Sequence, residues 1–364
     1  MKASGKKTVE KLVKLGQAAV REIRSGKNPS VAIPIRSLSN VSFNERKSII
    51  ELGDEEQKRY FFNVAMARKF MQTFLVAGAC KELVESGKTT SIRDLYYITK
   101  HTLEDDRTNT FDEQEESDPI IEDLEVTIDA LREELNLFAS NKGSMVGEMS
   151  LVDSGDRIDL RRMGSGGWTV PSIVESDIIR FVEHGAKFVL LVEKHAVWQR
   201  LNEDKFWKKN PCILLHGHGM APRGVRRLCQ RMVGELGLPL YVLVDNDPWG
   251  FYIYSVVKQG SINLAYESMR MAVPGARFIG LSSADAKRYS LPARVSLRMN
   301  DQDISRAKQM LAYPWFQKKS WQKEIRLMLE SGSKYELEAL SAKGLTYISD
   351  EYLPKKIRDG DYLA

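Results

Sequence analysis

Three carboxylates stand where an alternating strand–helix chain gathers its chemistry. Glu193 directly follows the apolar run Lys187–Val192, and Asp245 and Asp247 follow a later run, Leu240–Val244, as Asp-Asn-Asp-Pro. In an open parallel sheet, the C-terminal edge of such strands is where ligands bind. Acids brought together there repel one another unless a cation neutralises them. A site of oxygen ligands alone, with no His or Cys, suits the hard Mg²⁺ ion. The plainer alternative is that Asp245 caps the helix opening at Pro248 while Glu193 is solvated; capping accounts for one acid of the three. A second group is cationic. Arg223, Arg227 and Arg231 recur at i, i+4 and i+8 with Arg226 beside them. On one helix they form a stripe able to track phosphates, or else a solvated face that Glu235 continues.

Those residues need elements to hold them. Lys187–Val192, Cys212–Leu215, Leu240–Val244 and Arg277–Leu281 read as buried strands, with Ala196–Lys209, Pro222–Leu236 and Pro248–Val257 as helices. That alternation predicts an α/β domain with a mainly parallel sheet, around which the polar, helical stretch from about Asp301 packs. Upstream the pattern differs. From Tyr60 to about Leu83, Phe61, Val64, Ala67, Phe70, Met71, Phe74 and Leu75 fall at helical spacing, and Gly87 is placed to stop the helix. Ser91 reads as an N-cap with Asp94 three residues on, opening a short helix through Leu95 and Ile98. Glu104–Asp118 is acidic and reads as an exposed loop. Asp118-Pro119 opens a third helix with Ile120, Ile121, Leu124, Ile128, Leu131 and Leu135 as its stripe, and Met145–Val152 reads as a short strand pair. Helix, short helix, longer helix and β-wing is the layout of a winged-helix DNA-binding module, an α+β domain. The expected boundaries are an N-terminal extension over 1–60, the winged helix over 61–155, a linker over 156–180 and the α/β domain with its helical elaboration over 181–364. The linker carries Gly164-Ser165-Gly166-Gly167, read as a flexible joint.

Composition excludes several classes. With 364 residues and 43% apolar content the chain can bury a sizeable core. No apolar run approaches the ~20 residues of a membrane helix, and Met1–Lys14 lacks a signal-peptide core. The expected setting is therefore cytoplasmic, or nuclear in a eukaryote. Cys80, Cys212 and Cys229 are odd in number and form no CxxC pair, which argues for core thiols over disulfides or zinc. The net charge of +5 is too mild to identify a nucleic-acid partner by itself. Ser86-Gly87-Lys88-Thr89 ends like a P-loop, but position 82 is Glu where that motif needs Gly, and a helix precedes it. No ATP site remains.

A glutamate after one strand and Asp-x-Asp after a later one is the toprim pattern of topoisomerases and primases. Val-Leu-Leu-Val-Glu-Lys, His-Gly-His-Gly-Met-Ala-Pro-Arg-Gly-Val-Arg-Arg and Leu-Val-Asp-Asn-Asp-Pro-Trp-Gly-Phe-Tyr-Ile-Tyr carry it here. The last block, with its Asp-Pro-Trp-Gly ending, is narrower. It resembles the A subunits of archaeal topoisomerase VI, a type IIB enzyme, and their relative, the meiotic double-strand-break transesterase. An independent segment agrees: Ser91-Ile92-Arg93-Asp94-Leu95-Tyr96-Tyr97 fits the family's Arg-Asp-hydrophobic-aromatic-Tyr motif. The resemblance runs from about Val64 to the C-terminus. One departure is Gly217-His218-Gly219, where many relatives have Gly-Lys-Gly; a histidine contacts phosphate by charge only when protonated.

The resemblance implies that Tyr97, not Tyr96, is the nucleophile and attaches to a DNA 5′ end. It implies Mg²⁺ held by Glu193, Asp245 and Asp247, with Glu193 also serving the reaction, and double-stranded DNA as substrate. It further implies a homodimer and a separate GHKL-type ATPase B subunit completing an A2B2 heterotetramer. The residue types fit this chemistry. A phenol with a pKa near ~10 needs help to act as phenolate, and Arg93, four residues before Tyr97, lies on the same helix face to give it or to clamp phosphate. Charge on the phosphoryl oxygens needs the cation. Arg223, Arg226, Arg227 and His218 are the candidate DNA contacts. The rivals are a stand-alone break-making transesterase, a toprim nuclease using water, and a DNA-binding protein with a silent site.

Overall fold

The computed structural model describes residues 3–103 and 107–363. They divide into two compact units: Met1–Ser42, Glu51–Ser140 and Ile262–Glu267 form the first, and Phe43–Ile50, Asn141–Ser261 and Ser268–Ala364 the second. Of the acidic stretch expected to be a loop, Glu104–Asp106 lie outside the described residues.

The first unit is mostly helical and takes in most of the stretch expected to be an N-terminal extension, 1–60, all but Phe43–Ile50, which belong to the second unit. Helix α1 (Ala3–Arg24) buries Leu12 in the same apolar cluster as Val76, Cys80, Leu95 and Ile121. Strand β1 (Ser30–Pro34) alternates buried Val31 and Ile33 with half-buried neighbours; a ribbon of β2 (Val41–Asn44) and β3 (Ile49–Leu52) follows, and β4 (Glu56–Tyr60) pairs antiparallel with β1. Helix α2 (Val64–Ser86) starts later than the apolar spacing from Tyr60 suggests, at Asn63, whose side chain accepts from the Ala65 N–H, and it stops at Gly87 in the left-handed region (φ 67°), as expected. β5 (Thr90–Ser91) leads into α3 (Ile92–Thr99). The third helix, α4 (Ser117–Thr127), is shorter than its apolar stripe suggests. Asp129 turns left-handed (φ 46°), and Leu131 and Leu135 are buried beyond that break, on and before a 3₁₀ turn. Arg36, just after β1, and Arg59 of β4 both pair with Asp123 of α4, tying the β1–β4 pair to the helices. β6 (Leu137–Phe138) closes the unit beside β5.

The strands expected to form the wing exist, but in the second unit and in different sheets. β7 (Ser144–Gly147) and β8 (Met149–Asp153) do not pair with each other. Gly147 (φ 141°) lets the chain cross between sheets, because a side chain there would strike the Cys212 carbonyl. β8 instead sits between β9 (Asp156–Asp159) and the later β11 (Ile179–His184), antiparallel to both. Residues 156–180 are therefore not a linker. They carry β9, then β10 (Trp168–Thr169), which pairs with β7, and the start of β11. Nor is Gly164–Gly167 a flexible joint: the Asn202 amide donates to the carbonyls of Gly164 (3.0 Å) and Ser165 (3.3 Å).

The large sheet of this unit has six strands in the order β10-β7-β13-β12-β14-β15. β12 (Val189–Val192), β13 (Ile213–His216), β14 (Leu240–Leu243) and β15 (Arg277–Phe278) are parallel, while β7 joins β13 antiparallel. Every residue of β12, β13 and β14 is buried, which is why they read as continuous apolar runs. Helices α5 (His195–Glu203), α6 (Phe206–Lys209), α7 (Arg223–Leu236) and α8 (Pro248–Gln259) connect them. The chain breaks between α5 and α6 at Lys205 (φ 52°), inside what the sequence suggested as one helix.

Candidate functional site

The ends of β12 and β14 bring the three carboxylates together. Glu193 extends its strand by donating its N–H to the Leu243 carbonyl (3.0 Å), and its Oε2 accepts from the Asp245 N–H (3.3 Å). Asp245 is 3% exposed; its Oδ1 accepts from the Leu337 N–H (2.8 Å), and its Oδ2 pairs with Lys194 Nζ (2.9 Å). Between the two aspartates, buried Asn246 is an anchor. It exchanges backbone hydrogen bonds with Tyr335 (2.9 and 3.0 Å), and its side chain donates to Glu324 (3.1 Å). Asp247, not Asp245, caps α8: its Oδ1 accepts from the Gly250 N–H (2.6 Å), with Pro248 at the first helical position. Gly250 is required there, because a Cβ would lie 2.6 Å from the Asp245 carbonyl oxygen.

Electrostatics show that these acids are held at a cost. Burial, then repulsion from Asp245 and Asp247, pushes Glu193 up to about 8. Burial raises Asp245 to about 6, against the opposing pull of Lys194, and burial also raises Asp247. Among the described residues, no three His, Cys, Asp or Glu side chains are set around one point to hold a metal ion. The edge is thus not an all-protein cage. Mg²⁺ does not require one, since it keeps several waters and takes one or two carboxylates plus phosphate oxygens. Oxygen donors alone, on acids whose charged forms are disfavoured by burial and mutual repulsion, fit that mode of binding.

Two features beside this edge escape the sequence reading. Lys194 is one; its acidic partners Glu336 and Glu338 are too distant in sequence to signal it. The other is a packed group of rings. His216 has ring centroids 4.4 Å from His218 and 4.9 Å from His195, with Trp198 at 4.8 Å. Burial, then repulsion from His218 and His195, lowers His216 to about 3, so it is neutral. His218 itself is exposed, in a left-handed conformation (φ 55°), on a loop held to Glu193 by the Gly219 N–H donating to the Glu193 carbonyl (3.0 Å).

The arginine stripe is not an exposed phosphate track. Arg226 and Arg231 are buried at 5% and 3% exposure. Arg227 makes a forked pair with Glu175, both bonds at 2.8 Å. Arg231 pairs with Glu235 at 2.6 Å and donates to the carbonyls of Val174 and Ile179. Arg227 and Arg231 of α7 clamp residues 174–179 and Arg226 is buried, so none of the three presents a free cation face. Arg223, at the start of α7, is half-buried.

In the first unit, α3 is capped as expected: Ser91 Oγ accepts from the Asp94 N–H (3.0 Å). The two tyrosines diverge. Tyr96 is 6% exposed and donates its hydroxyl to the Asp112 carbonyl (2.8 Å), whereas Tyr97 is 60% exposed. Arg93 is exposed one turn before Tyr97.

A sheet whose parallel strands end in Glu at one place and Asp-x-Asp at another defines a Toprim protein, and residues 188–357 match the family model of the Toprim domain shared by the topoisomerase 6 A subunit and Spo11. Residues 68–137 match the model described as "Type IIB DNA topoisomerase", and 141–185 match that of the all-beta domain in the DNA topoisomerase VI alpha subunit. The last of these covers the three-stranded β8–β9–β11 sheet. The chain is 44% identical to the A subunit of type 2 DNA topoisomerase 6 from Pyrococcus abyssi, over 98% of this chain and 95% of that protein. The counterpart from Hyperthermus butylicus is 42% identical over 94% and 92%. The A3 subunit of DNA topoisomerase 6 from Oryza sativa subsp. indica is 36% identical over 95% of this chain and 76% of that protein. The chain belongs to the family of topoisomerase 6 A subunits and is a topoisomerase.

Proposed function

We propose that this chain is the DNA-cleaving and rejoining subunit of a type IIB topoisomerase, with Tyr97 as nucleophile. The observation that carries the reading is the contrast within one dipeptide: Tyr96 is buried and bonded, while Tyr97 points into solvent. The Tyr97 phenol oxygen attacks a DNA phosphorus; the bond to the 3′-side oxygen breaks, the phenol proton is lost and the departing oxygen gains one. The product is a phosphodiester between Tyr97 and the 5′ end, so one phosphodiester replaces another and resealing needs no ATP at this step. Arg93, on the same exposed face, steadies the phenolate or the phosphate. Glu193, Asp245 and Asp247 would hold Mg²⁺, which when bound supplies charge stabilisation at the phosphoryl oxygens. The first unit serves as the DNA-binding module of winged-helix type; the order α2, α3, α4 with the β5–β6 pair supports this. His218 and Arg223 are the DNA contacts we retain. The protein works as a homodimer on double-stranded DNA, with a GHKL-type ATPase completing an A2B2 assembly in the cytoplasm. No helix among the described residues is long and apolar enough to cross a membrane.

Supercoiled plasmid, Mg²⁺ and a partner ATPase test the reading. Quenching with detergent is expected to leave linear DNA with protein on its 5′ ends. Linear DNA with free 5′ ends would favour a water nucleophile and overturn it.

A further inference from the structure

The residue after Glu193 has no part in the reaction just described, yet it is held by more negative charge than it needs. Lys194 Nζ lies 2.9 Å from Asp245 Oδ2, 3.2 Å from Glu336 Oε2 and 3.0 Å from Glu338 Oε2. The three acids are unlike. Asp245 is buried, with its other oxygen taken by the Leu337 N–H at 2.8 Å. The side chains of Glu336 and Glu338 are about half exposed, at 50% and 44%. The paired backbone bonds between Asn246 and Tyr335 hold the segment carrying them beside the Asp-Asn-Asp turn. Both Asp245 oxygens are therefore engaged, one by an ammonium. An ammonium and a divalent cation on one buried carboxylate repel strongly, because little solvent screens them. Buried acids left without any cation repel one another instead.

We propose that Lys194 is a built-in competitor of the divalent cation, holding Asp245 in the metal-free protein and withdrawing onto Glu336 and Glu338 when metal binds. This rests on the metal reading above. Lys194 is then a positioning residue: it keeps the edge assembled without metal and weakens metal binding in exchange. Glu336 and Glu338 offset that weakening by giving the ammonium somewhere to go.

Mn²⁺ affinity of the full-length protein, read without DNA by electron paramagnetic resonance, tests this. Lys194→Met is expected to bind Mn²⁺ about tenfold more tightly, the order expected on removing a neighbouring like charge, and to melt at a lower temperature when metal-free. The double variant Glu336→Gln/Glu338→Gln, at half-exposed positions that tolerate change, is expected to bind several-fold more weakly. Unchanged or weaker binding by a folded Lys194→Met overturns the proposal, as does unchanged or tighter binding by the double variant. Glu193→Gln and Asp247→Asn separate the two layers. If both bind Mn²⁺ like the parent, the metal reading itself fails. If both lose it while Lys194→Met is unchanged, only the competitor role fails.

Discussion

The α3 helix and the Toprim edge present their chemistry in opposite ways. Tyr97 stands 60% exposed on a short helix, while its neighbour Tyr96 takes up the packing and the hydrogen bonding. At the edge nothing is presented so openly. Asp245 is almost wholly buried, Asp247 is engaged by the Gly250 N–H, and burial and mutual repulsion hold Glu193 near 8. On the proposed reading Tyr97 is a nucleophile for a polymer that arrives from outside; such a group must reach out, and placement is what its helix has to provide. Groups that act on phosphate charge gain from a partly desolvated setting, where electrostatic interactions are strong, and the sheet edge stores that arrangement in advance.

The largest expected effect falls on the exposed side. Tyr97→Phe should abolish covalent protein–DNA adducts with folding and DNA binding intact, while Tyr96→Phe should keep cleavage and lose about 1 kcal/mol of stability with its bond to the Asp112 carbonyl. Equal cleavage by Tyr97→Phe, scored as adducts on a detergent gel, would erase the contrast. On the buried side, Asp247 caps α8 and, on the proposed reading, holds the metal, two duties that substitution can part. Asp247→Ala should lose cleavage at low Mg²⁺ and about 1 kcal/mol of cap stability, whereas Asp247→Asn, which keeps an acceptor for the Gly250 N–H, should lose cleavage alone. Melting curves run beside cleavage assays decide; normal cleavage by Asp247→Asn would remove it from the metal site.

Glu193 sharpens the comparison through pH. Its folded value of about 8 lies above the ordinary 4.5. Between those values the folded, metal-free protein keeps a proton that the unfolded chain has released. The stabilising contribution is thus full below the ordinary value and is lost as pH rises through about 8. The melting temperature of metal-free protein should fall with rising pH across this window more steeply than that of Glu193→Gln, and Mg²⁺, which favours the carboxylate, should flatten the difference. Parallel curves for the two proteins would show that the acid is not strained. The smallest effect concerns α7. Arg227→Ala should cost roughly 1 kcal/mol, through its partly exposed forked pair with Glu175. The salt slope of DNA binding should stay unchanged, where a phosphate contact would lower it by about one. A lowered slope with unchanged stability would return Arg227 to the DNA.

What could be read from the chain follows from how local each signal is. The β12, β13 and β14 strands and their terminal acids were legible because strands buried on both faces are continuous apolar runs. Helix α3 was legible through Ser91 and Asp94. The signal for the cap of α8 lies in the sequence too: with Pro248 at the first helical position, the cap is the residue before it, Asp247, and not the Asp245 of the plainer alternative. The sequence shows strands at Met145–Val152 without showing their unit, since a strand's pattern does not name its partner, which for β7 is β13 across the sheet. Helical spacing placed the arginines on one face without revealing that Glu175, 52 residues upstream, faces Arg227. Lys194 was invisible for the same reason, its partner Glu338 lying 144 residues away.

The most direct test of the account is to identify the atom that carries the DNA. Cleavage complexes trapped by denaturant, digested with protease and nuclease and sequenced by mass spectrometry should yield one nucleotide-bearing peptide, modified on the Tyr97 hydroxyl. A nucleotide on Tyr96 or on any other side chain, or cleaved DNA with no modified peptide at all, would contradict the assignment of Tyr97 as the nucleophile.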